Sequence, residues 1–180
     1  MVKVFEQFNN KTVLITGGGG GLASALIEQL LLAGSNVAAL DLNIDSLVAS
    51  KALLPISVDI TDKAALEAAV AQVVNIYGGI DILFNNAGIT HMSTFQALSA
   101  DLFNTIMAVN FTASVDITRL CLPYLLKSKG KIVAISSVAG FAPLYGRSAY
   151  SASKHAMEGF FYSLASELVA DEVSVLVVCP

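Results

Sequence analysis

Short apolar runs alternate with longer stretches of helical periodicity along the chain. The short runs are rich in β-branched residues, as buried strands are, and the longer stretches repeat apolar residues every three or four positions. The short runs predict six strands, over 11–16, 36–42, 54–58, 81–84, 131–136 and 173–179. The stretches between them predict helices over 22–33, 44–51, 62–77, 99–127 and 150–170. This alternation is typical of a Rossmann-type doubly wound α/β fold, in which a parallel sheet and the helices on both its faces form three layers.

Composition fits one domain that does not span a membrane. A chain of 180 residues that is 55% apolar can bury one large core, so we expect a single domain over 1–180. The mean hydropathy of +0.70 is high, but polar residues or glycine interrupt every run before the ~18 apolar residues that indicate a membrane span. Residues 1–11 lack the apolar core of a signal peptide. We therefore expect a cytoplasmic protein with no membrane partner.

Charge and cysteine content narrow the function further. The 10 Lys and Arg residues and 14 Asp and Glu residues give a net charge of -4 without any basic cluster, so nucleic acid is not expected as a partner. Cys121 and Cys179 are far apart, and His91 and His155 are isolated, which argues against a metal site. Both cysteines are expected to be reduced residues of the core.

Candidate ligand-binding residues follow the predicted strands. In doubly wound sheets, ligands bind beyond the carboxyl ends of the strands, at the point where the strand order reverses. Five glycines, Gly17–Gly21, follow the first strand, and Asp41, Asp59, Asn85–Gly88 and Ser137 follow or end four others. These residues are therefore predicted to line one crevice.

The glycine turn and Asp41 point to a dinucleotide. A glycine-rich turn before a helix lets the backbone approach a pyrophosphate, although such a turn also occurs where only a tight bend is needed. Asp41 lies twenty residues after Gly21, where an acid accepts hydrogen bonds from a ribose diol. A carboxylate there repels a 2'-phosphate, and neither Lys nor Arg occurs among the glycines or just after Asp41. These features favour NAD over NADP.

Tyr150 and Lys154 are a candidate catalytic pair. They lie four residues apart in a predicted helix and therefore share one of its faces. The pKa of a free tyrosine is about 10, so the phenol exchanges protons near neutral pH only if a nearby positive charge stabilises the phenolate. Lys154 can supply one such charge, and a bound cofactor can supply a second. The same spacing also marks ordinary surface pairs on many helices.

With these residues together, the chain resembles the short-chain dehydrogenase/reductase family over nearly its whole length. Thr16, Gly17 and Gly21 match the family's glycine motif, Thr-Gly-x-x-x-Gly-x-Gly, and Ala23 occupies the position of the third glycine. Residues 85–88 match the family's Asn-Asn-Ala-Gly motif. Asp59 and Ile60 resemble the pair that meets the adenine ring, and the family's catalytic tetrad is matched in order and approximate spacing by four residues, Asn110, Ser137, Tyr150 and Lys154.

The resemblance implies hydride transfer between a nicotinamide and a secondary alcohol or ketone. Tyr150 would be the general acid in reduction and the base in oxidation, and Ser137 would donate a hydrogen bond to the substrate oxygen. Lys154 would bind the nicotinamide ribose and lower the pKa of Tyr150, and Asn110 would hold a water that connects Lys154 to solvent. The residues implied to hold the cofactor are Gly17, Gly20, Gly21, Leu22, Asp41, Asp59, Ile60, Asn86, Ala87, Gly88, Tyr150 and Lys154.

Several alternatives remain open at this level. Ser136 could replace its neighbour Ser137 if the alignment were shifted by one residue, but the thirteen-residue gap to Tyr150 favours Ser137. A non-catalytic dinucleotide-binding scaffold or sensor competes with the oxidoreductase, as does an epimerase or dehydratase of the extended branch. The intact tetrad argues against the scaffold, and the compact spacing argues against the extended branch.

Substrate, oligomeric state and chain length are further expectations. Some side chains after the strands could contact substrate or simply face solvent, and these are His91, Met92, Phe141, Leu144 and Tyr145. In the family, two long helices commonly pair between subunits, which implies a homodimer or homotetramer. Relatives usually continue beyond the position of Pro180 with a segment that covers the substrate, so the chain is expected to be part of a longer one. Its sixth strand is expected to form an exposed apolar edge.

Overall fold

The computed structural model of the protein describes residues 6–180. Six strands form one parallel sheet in the order β3-β2-β1-β4-β5-β6. The strands are β1 (Thr12–Thr16), β2 (Asn36–Asp41), β3 (Leu53–Ser57), β4 (Ile82–Asn85), β5 (Lys131–Ile135) and β6 (Ser174–Val178). Each lies within one residue of its predicted bounds at both ends. The predicted Rossmann-type α/β fold is confirmed.

Five α-helices connect these strands. They are α1 (Gly21–Leu32), α2 (Lys63–Tyr77), α3 (Ala100–Met107), α4 (Ala113–Ser128) and α5 (Ser148–Glu167). Asp62 caps α2, because its carboxylate accepts the N–H groups of Ala64 and Ala65 at 3.0 and 3.1 Å. Gly78 ends the same helix in the left-handed conformation, with φ 84°. These local signals explain why the bounds of α2 could be predicted closely.

The two faces of the sheet are covered unequally by the described residues. Helices α2, α4 and α5 pack on one face, where Leu66, Cys121 and Phe161 are fully buried. Helix α1 packs on the other face through Ala23, Ile27 and Leu30. Ala23 is 1% exposed, so the alanine at the third glycine position packs into the core. The three predicted layers are therefore present, with more helix on one side than on the other.

The helix predicted over 44–51 is wrong. This segment is an irregular connection between β2 and β3. The Asn43 side chain accepts the N–H of Asp45 at 2.9 Å, and the Ser50 hydroxyl accepts the N–H of Leu53 at 3.1 Å. Such local bonds compete with helical ones. Val48 is 82% exposed, so this apolar side chain does not hold the segment against the sheet.

The helix predicted over 99–127 is interrupted. Helices α3 and α4 are joined by a π-helical turn, Ala108–Thr112, which contains Asn110. Ser99 caps α3 by accepting the N–H of Leu102 at 3.2 Å. A π turn inserts one extra residue per turn, and such turns are frequent at functional sites. The insertion leaves Asn110 fully buried beside the end of β4.

Strand β6 and the two cysteines differ in how far the protein covers them. The last strand, β6, lies at an edge of the sheet, and Leu176 is 57% exposed, as expected for an apolar edge. Cys121 is buried as predicted, whereas Cys179 is exposed, which corrects its assignment to the core. Cys179 follows β6, and its thiol donates to the Glu158 carboxylate at 3.3 Å. Within residues 6–180, no helix combines the length and apolarity that crossing a membrane requires.

Candidate active site

The glycine turn after β1 is packed tightly against its neighbours. Gly17 has φ 70°, and a Cβ added there would lie 2.8 Å from the Cα of Ala87. A Cβ at Gly19 would lie 2.3 Å from the carbonyl oxygen of Asn43, whereas at Gly21 it would meet nothing within 4 Å. A Cβ at Gly18 would likewise lie 2.7 Å from the Ala39 Cβ, so three of the glycines are required by contacts within the protein, and the backbone at Gly21 is open to a ligand.

Asp41 and Asp59 lie at the adenosine end of the predicted crevice. A cavity of about 160 Å³ is lined by Asp41, Asp59, Ile60, Gly17 and Gly88 among others, and its lining residues include neither Lys nor Arg. Asp41 accepts the N–H groups of Gly19 and Asn43 at 2.9 and 3.1 Å. Its carboxylate retains lone pairs for further donors such as ribose hydroxyls.

Thr61 stabilises the carboxylate of Asp59. Its carboxylate accepts the Thr61 hydroxyl at 2.7 Å and the Thr61 N–H at 2.9 Å, and these two bonds lower the pKa of Asp59 below its ordinary value. The cavity is therefore bordered by two carboxylates. A negatively charged group such as a phosphate would be repelled there.

The loop after β4 is tied to the glycine turn. The Asn86 side chain donates to the carbonyl oxygens of Thr16 and Gly17 at 2.9 and 3.3 Å. The N–H groups of Asn86 and Ala87 donate to the Thr16 hydroxyl at 3.1 and 3.0 Å. These bonds join the ends of β1 and β4, the two strands between which the strand order reverses. Asn86 and Ala87 thus shape the floor of the crevice.

Asn110 positions the chain beyond Gly88. Its carboxamide accepts the N–H of Ile89 at 2.8 Å and donates to the Ile89 carbonyl at 2.9 Å, so it holds both backbone groups of this residue. It also donates to the Ser153 hydroxyl at 3.0 Å. The main-chain carbonyl oxygen of Asn110 accepts the Ser114 hydroxyl at 2.9 Å. These bonds define a positioning residue, and its implied role in holding a water stays a prediction.

Ser137, Tyr150 and Lys154 line a second cavity of about 280 Å³. Ser137 follows β5, and its hydroxyl accepts the N–H of Ala139 at 3.2 Å. Its neighbour Ser136 also borders the cavity but is 3% exposed, so Ser137 is the more accessible of the two. Both cavities are lined by Gly88 and Ile89. Most of the predicted catalytic and cofactor residues therefore line two adjoining cavities at the carboxyl ends of the strands. Asn110, Gly20 and Gly21 line neither cavity.

Lys154 is a buried cation in this second cavity. It is 3% exposed, and its Nζ donates to the Ile135 carbonyl at 2.7 Å and contacts the Met157 Sδ at 3.4 Å. The Nζ lies 5.8 Å from the centroid of the Tyr150 ring. Burial lowers the pKa of Lys154 from 10.5 to about 8, and the nearby Cys179 sulfur partly opposes this effect. The ammonium is thus close to the phenol but costly to keep charged.

Two positioning residues were missed in the sequence. Ser153 is fully buried, accepts from Asn110, and donates to the Tyr150 carbonyl at 2.7 Å, so it links the π turn to α5. Ile89 borders both cavities and is held by Asn110. The signal for Ser153 was its place on α5 three residues after Tyr150, where a hydroxyl can reach back to a carbonyl. Ile89 carried no comparable signal.

The fold and these cavities define a nucleotide-binding protein of the doubly wound class. A family model described as short chain dehydrogenase matches residues 11–180. The chain belongs to the short-chain dehydrogenase family. The family resemblance noted in the sequence is confirmed.

Individual relatives agree with this assignment. A dehydrogenase/reductase SDR family protein 7-like protein of Anopheles gambiae is 38% identical over 97% of this chain and 60% of its own length. A 3-oxoacyl-[acyl-carrier-protein] reductase of Thermotoga maritima is 33% identical over 97% of this chain and 74% of its own. The NAD(+)-named 15-hydroxyprostaglandin dehydrogenase of Rattus norvegicus is 33% identical over 96% and 68%. The chain spans about three fifths of the length of its Anopheles relative and of a similar Mus musculus protein.

Solved structures share the fold. A short-chain dehydrogenase from Streptomyces avermitilis superposes with a TM-score of 0.90 at 32% identity, covering 94% of this chain and 65% of its own. The 3-ketoacyl-(acyl-carrier-protein) reductase from Brucella melitensis, complexed with NADH, gives a TM-score of 0.92 at 27% identity. The alignment covers 96% of this chain and 76% of that one.

Proposed function

We propose that the protein transfers a hydride between NAD and a secondary alcohol or ketone, with Tyr150 as the general acid and base. The observation that carries this proposal is the shared lining of the two cavities by Gly88 and Ile89, with Asp41 in one cavity and Ser137, Tyr150 and Lys154 in the other. Two relatives support the reacting group, since one is named for a 3-oxoacyl compound and the other for a hydroxy compound.

The residues present fit a dinucleotide. Open space around Gly21 leaves the start of α1 accessible to a pyrophosphate, and Asp41 offers carboxylate lone pairs to a ribose. Lys154 can donate to the second ribose from the other cavity. The nicotinamide, when bound, supplies or accepts the hydride. The protein supplies orientation and the proton.

Proton transfer is assigned to the side chains of the second cavity. In reduction, the Tyr150 hydroxyl gives its proton to the carbonyl oxygen, and in oxidation the phenolate takes the proton of the alcohol. The Ser137 hydroxyl donates to the same substrate oxygen and stabilises its developing charge. The Lys154 ammonium stabilises the phenolate across the short gap between the two side chains. Asn110 and Ser153 hold the supporting backbone in place.

The test replaces Tyr150 by Phe. We expect kcat/KM on a panel of secondary alcohols to fall by roughly 10²–10⁴, because the acid and base are lost. The Kd for NADH should change far less, because Tyr150 is only one of the residues implied to hold the cofactor. Tyr162 lies on the same helix and is 58% exposed, so Tyr162→Phe is a matched control. Equal turnover in Tyr150→Phe and the parent chain would refute the acid and base assignment. NADH binding without turnover of any substrate would identify the non-catalytic scaffold instead.

The preference for NAD follows from the charges of the first cavity. Two carboxylates border it and none of its lining residues is basic, so the 2'-phosphate of NADPH should bind unfavourably. We expect NADH to bind at least about tenfold more tightly than NADPH, a difference of about 1.4 kcal/mol. Fluorescence titrations of both nucleotides measure it. Equal affinities, or tighter binding of NADPH, would contradict the preference.

Homodimers or homotetramers are proposed as the active form. The proposal rests on the family, in which two long helices commonly pair between subunits. In this chain, α4 and α5 lie together on one face of the sheet. Leu126 on α4 and Tyr162 on α5 are exposed on these helices. Sedimentation equilibrium of the chain measures its mass in solution. A monomer at micromolar concentration would overturn the proposal.

A further inference from the structure

Two loops are joined beside the catalytic cavity. The first, residues 89–93, follows β4, and the second, residues 141–147, leads into α5. The Arg147 guanidinium donates to the Thr90 hydroxyl, and the N–H of Ser93 donates to the Gly146 carbonyl at 2.9 Å. A Cβ at Gly146 would lie 3.4 Å from the Met92 side chain, so the loops are also in contact. Because Thr90 lines the cavity of Tyr150, the joined loops form part of its wall.

Large apolar side chains are exposed on this wall and next to Ser137. We call them the apolar rim, which consists of Ile89, Met92, Val138, Phe141, Leu144 and Tyr145. Their exposed fractions range from 39% for Ile89 to 85% for Tyr145. Exposed apolar side chains gathered beside a cavity are suited to contact an apolar ligand. Ile89 belongs to both the rim and the catalytic cavity, so the rim is continuous with the reacting centre.

Arg147 adds a positive charge to this wall. Within residues 6–180, its half-buried side chain has the neutral Thr90 hydroxyl as its polar partner and forms no ion pair. By contrast, Lys11, Lys63 and Lys129 each pair with a carboxylate. The sequence has no Asp or Glu over 86–100 or 117–157, so both loops lack an acid that could neutralise it. The guanidinium therefore retains donors for an outside anion.

The place of Arg147 limits where that anion can be. Arg147 immediately precedes α5, and Tyr150 follows three residues later, about one helical turn away. Its guanidinium contacts Thr90, which borders the same cavity as the Tyr150 side chain. An anion bound by Arg147 would thus lie beside the cavity in which Tyr150 exchanges its proton with the substrate oxygen. The planar fork of arginine matches a carboxylate in particular.

We propose that the substrate is an apolar hydroxy acid or oxo acid, with its carboxylate on Arg147 and its hydrocarbon tail on the apolar rim. This inference rests on the proposed function of the same cavity. In the oxidative direction, the C–H bond of the carbinol breaks and its hydride passes to the oxidised nicotinamide. The hydroxyl proton passes to the Tyr150 phenolate, the C=O bond forms, and the carboxylate is unchanged. The carboxylate and the hydrocarbon tail determine which substrate binds, and neither takes part in the reaction.

The test compares 3-hydroxydecanoate with its uncharged methyl ester. In the parent chain, we expect kcat/KM with NAD to be at least about tenfold higher for the acid, because a charge-assisted bond forms only with the carboxylate. This ratio should fall towards one in Arg147→Met and take an intermediate value in Arg147→Lys, which keeps the charge but loses the fork. Arg119, exposed on α4, gives the matched control, and Arg119→Met should keep the parent ratio.

Binding is measured beside turnover so that the two proposals fail separately. Calorimetry of the acid and the ester with the NADH-loaded chain should show the same selectivity and the same loss in Arg147→Met. Equal binding of acid and ester, or a ratio that Arg147→Met leaves unchanged, overturns the inference whether or not turnover occurs. Selective binding of the acid without turnover supports the inference and overturns the proposed function. The tail is tested with 3-hydroxybutyrate, which should bind about tenfold or more weakly, and equal binding overturns the role of the rim.

Discussion

Lys154 carries its charge in a place from which water is largely excluded. The side chain is 3% exposed, and its ammonium is compensated by a carbonyl and a thioether rather than by a carboxylate. Burial lowers the pKa of Lys154 to about 8. Relative to its ordinary value of 10.5, this corresponds to a loss of about 3 kcal/mol of folding free energy at pH values below 8. The charge needed beside Tyr150 is therefore maintained at the expense of stability.

The pH dependence of stability tests this cost. Between pH 8 and 10.5 the unfolded chain keeps a proton on Lys154 that the folded chain has released, so the free energy of unfolding rises with pH in this window. We expect Lys154→Met to lack this rise, whereas Lys127→Met, at an exposed position on α4, should keep it. Urea unfolding at several pH values measures the slopes. Parallel slopes for the parent chain and Lys154→Met would contradict the prediction.

At the scale of elements, the glycine turn and the π turn place the site by opposite means. The turn after β1 removes side chains so that the loops after β2 and β4 can approach it closely. The π turn between α3 and α4 adds a residue and directs the Asn110 carboxamide onto Ile89. Both devices act beside the point where the strand order reverses. The crevice is therefore built by irregularities at the ends of regular elements.

The glycines of the turn should differ in their tolerance of alanine. Gly17→Ala should cost about 2 kcal/mol or more of unfolding free energy, because φ is positive and the new Cβ would lie 2.8 Å from the Ala87 Cα. Gly21→Ala should leave stability unchanged or slightly higher, since a Cβ there meets no atom within 4 Å and alanine favours helices. Denaturant midpoints measure both. Equal losses in the two variants would show that contact within the turn is not the cause.

At the scale of the whole molecule, the unequal cover of the sheet determines which parts are protected. Three helices seal one face, and Cys121 on α4 is completely buried there. On the other face, a groove of about 470 Å³ over β4, β5 and β6 is lined by apolar residues that include Phe84, Val133 and Leu176. Cys179 follows β6 and is exposed. The two cysteines therefore differ in solvent exposure: Cys121 is sealed in the core, and Cys179 is open to solvent.

A thiol reagent should distinguish the two cysteines. We expect one fast reaction per native chain, at Cys179, because this thiol is exposed, although desolvation and the Glu158 carboxylate raise its pKa. Cys121 should react only when the three-helix face opens, because it is buried and burial raises its pKa to about 12. Timed labelling followed by intact mass analysis counts the modified thiols. Cys179→Ser should abolish the fast reaction. Two fast thiols in the folded chain would mean that the buried face is far more open than this packing allows.

The positions of the strands and of most helices along the chain could be predicted from the sequence because each signal is local. Buried parallel strands must be continuously apolar, and caps such as Asp62 and Gly78 end a helix through bonds within a few residues. The positions of Asp41, Asn86, Ser137, Tyr150 and Lys154 in the chain likewise identified the family. The prediction for 44–51 was wrong because the periodicity of the segment favours a helix, whereas the side chains of Asn43 and Ser50 accept backbone N–H groups and favour turns.

Contacts between residues that are distant in sequence could be found only in the tertiary structure. The bonds of Asn110 to Ile89 and Ser153 span 21 and 43 residues, and the contact of Arg147 with Thr90 spans 57. The burial that lowers the pKa of Lys154, and the exposure of Cys179, depend on which faces of the sheet are covered. The fold and the candidate site residues could be predicted from the sequence, because both follow from local patterns of residues. Packing alone determined how those residues are held and what they leave free to bind.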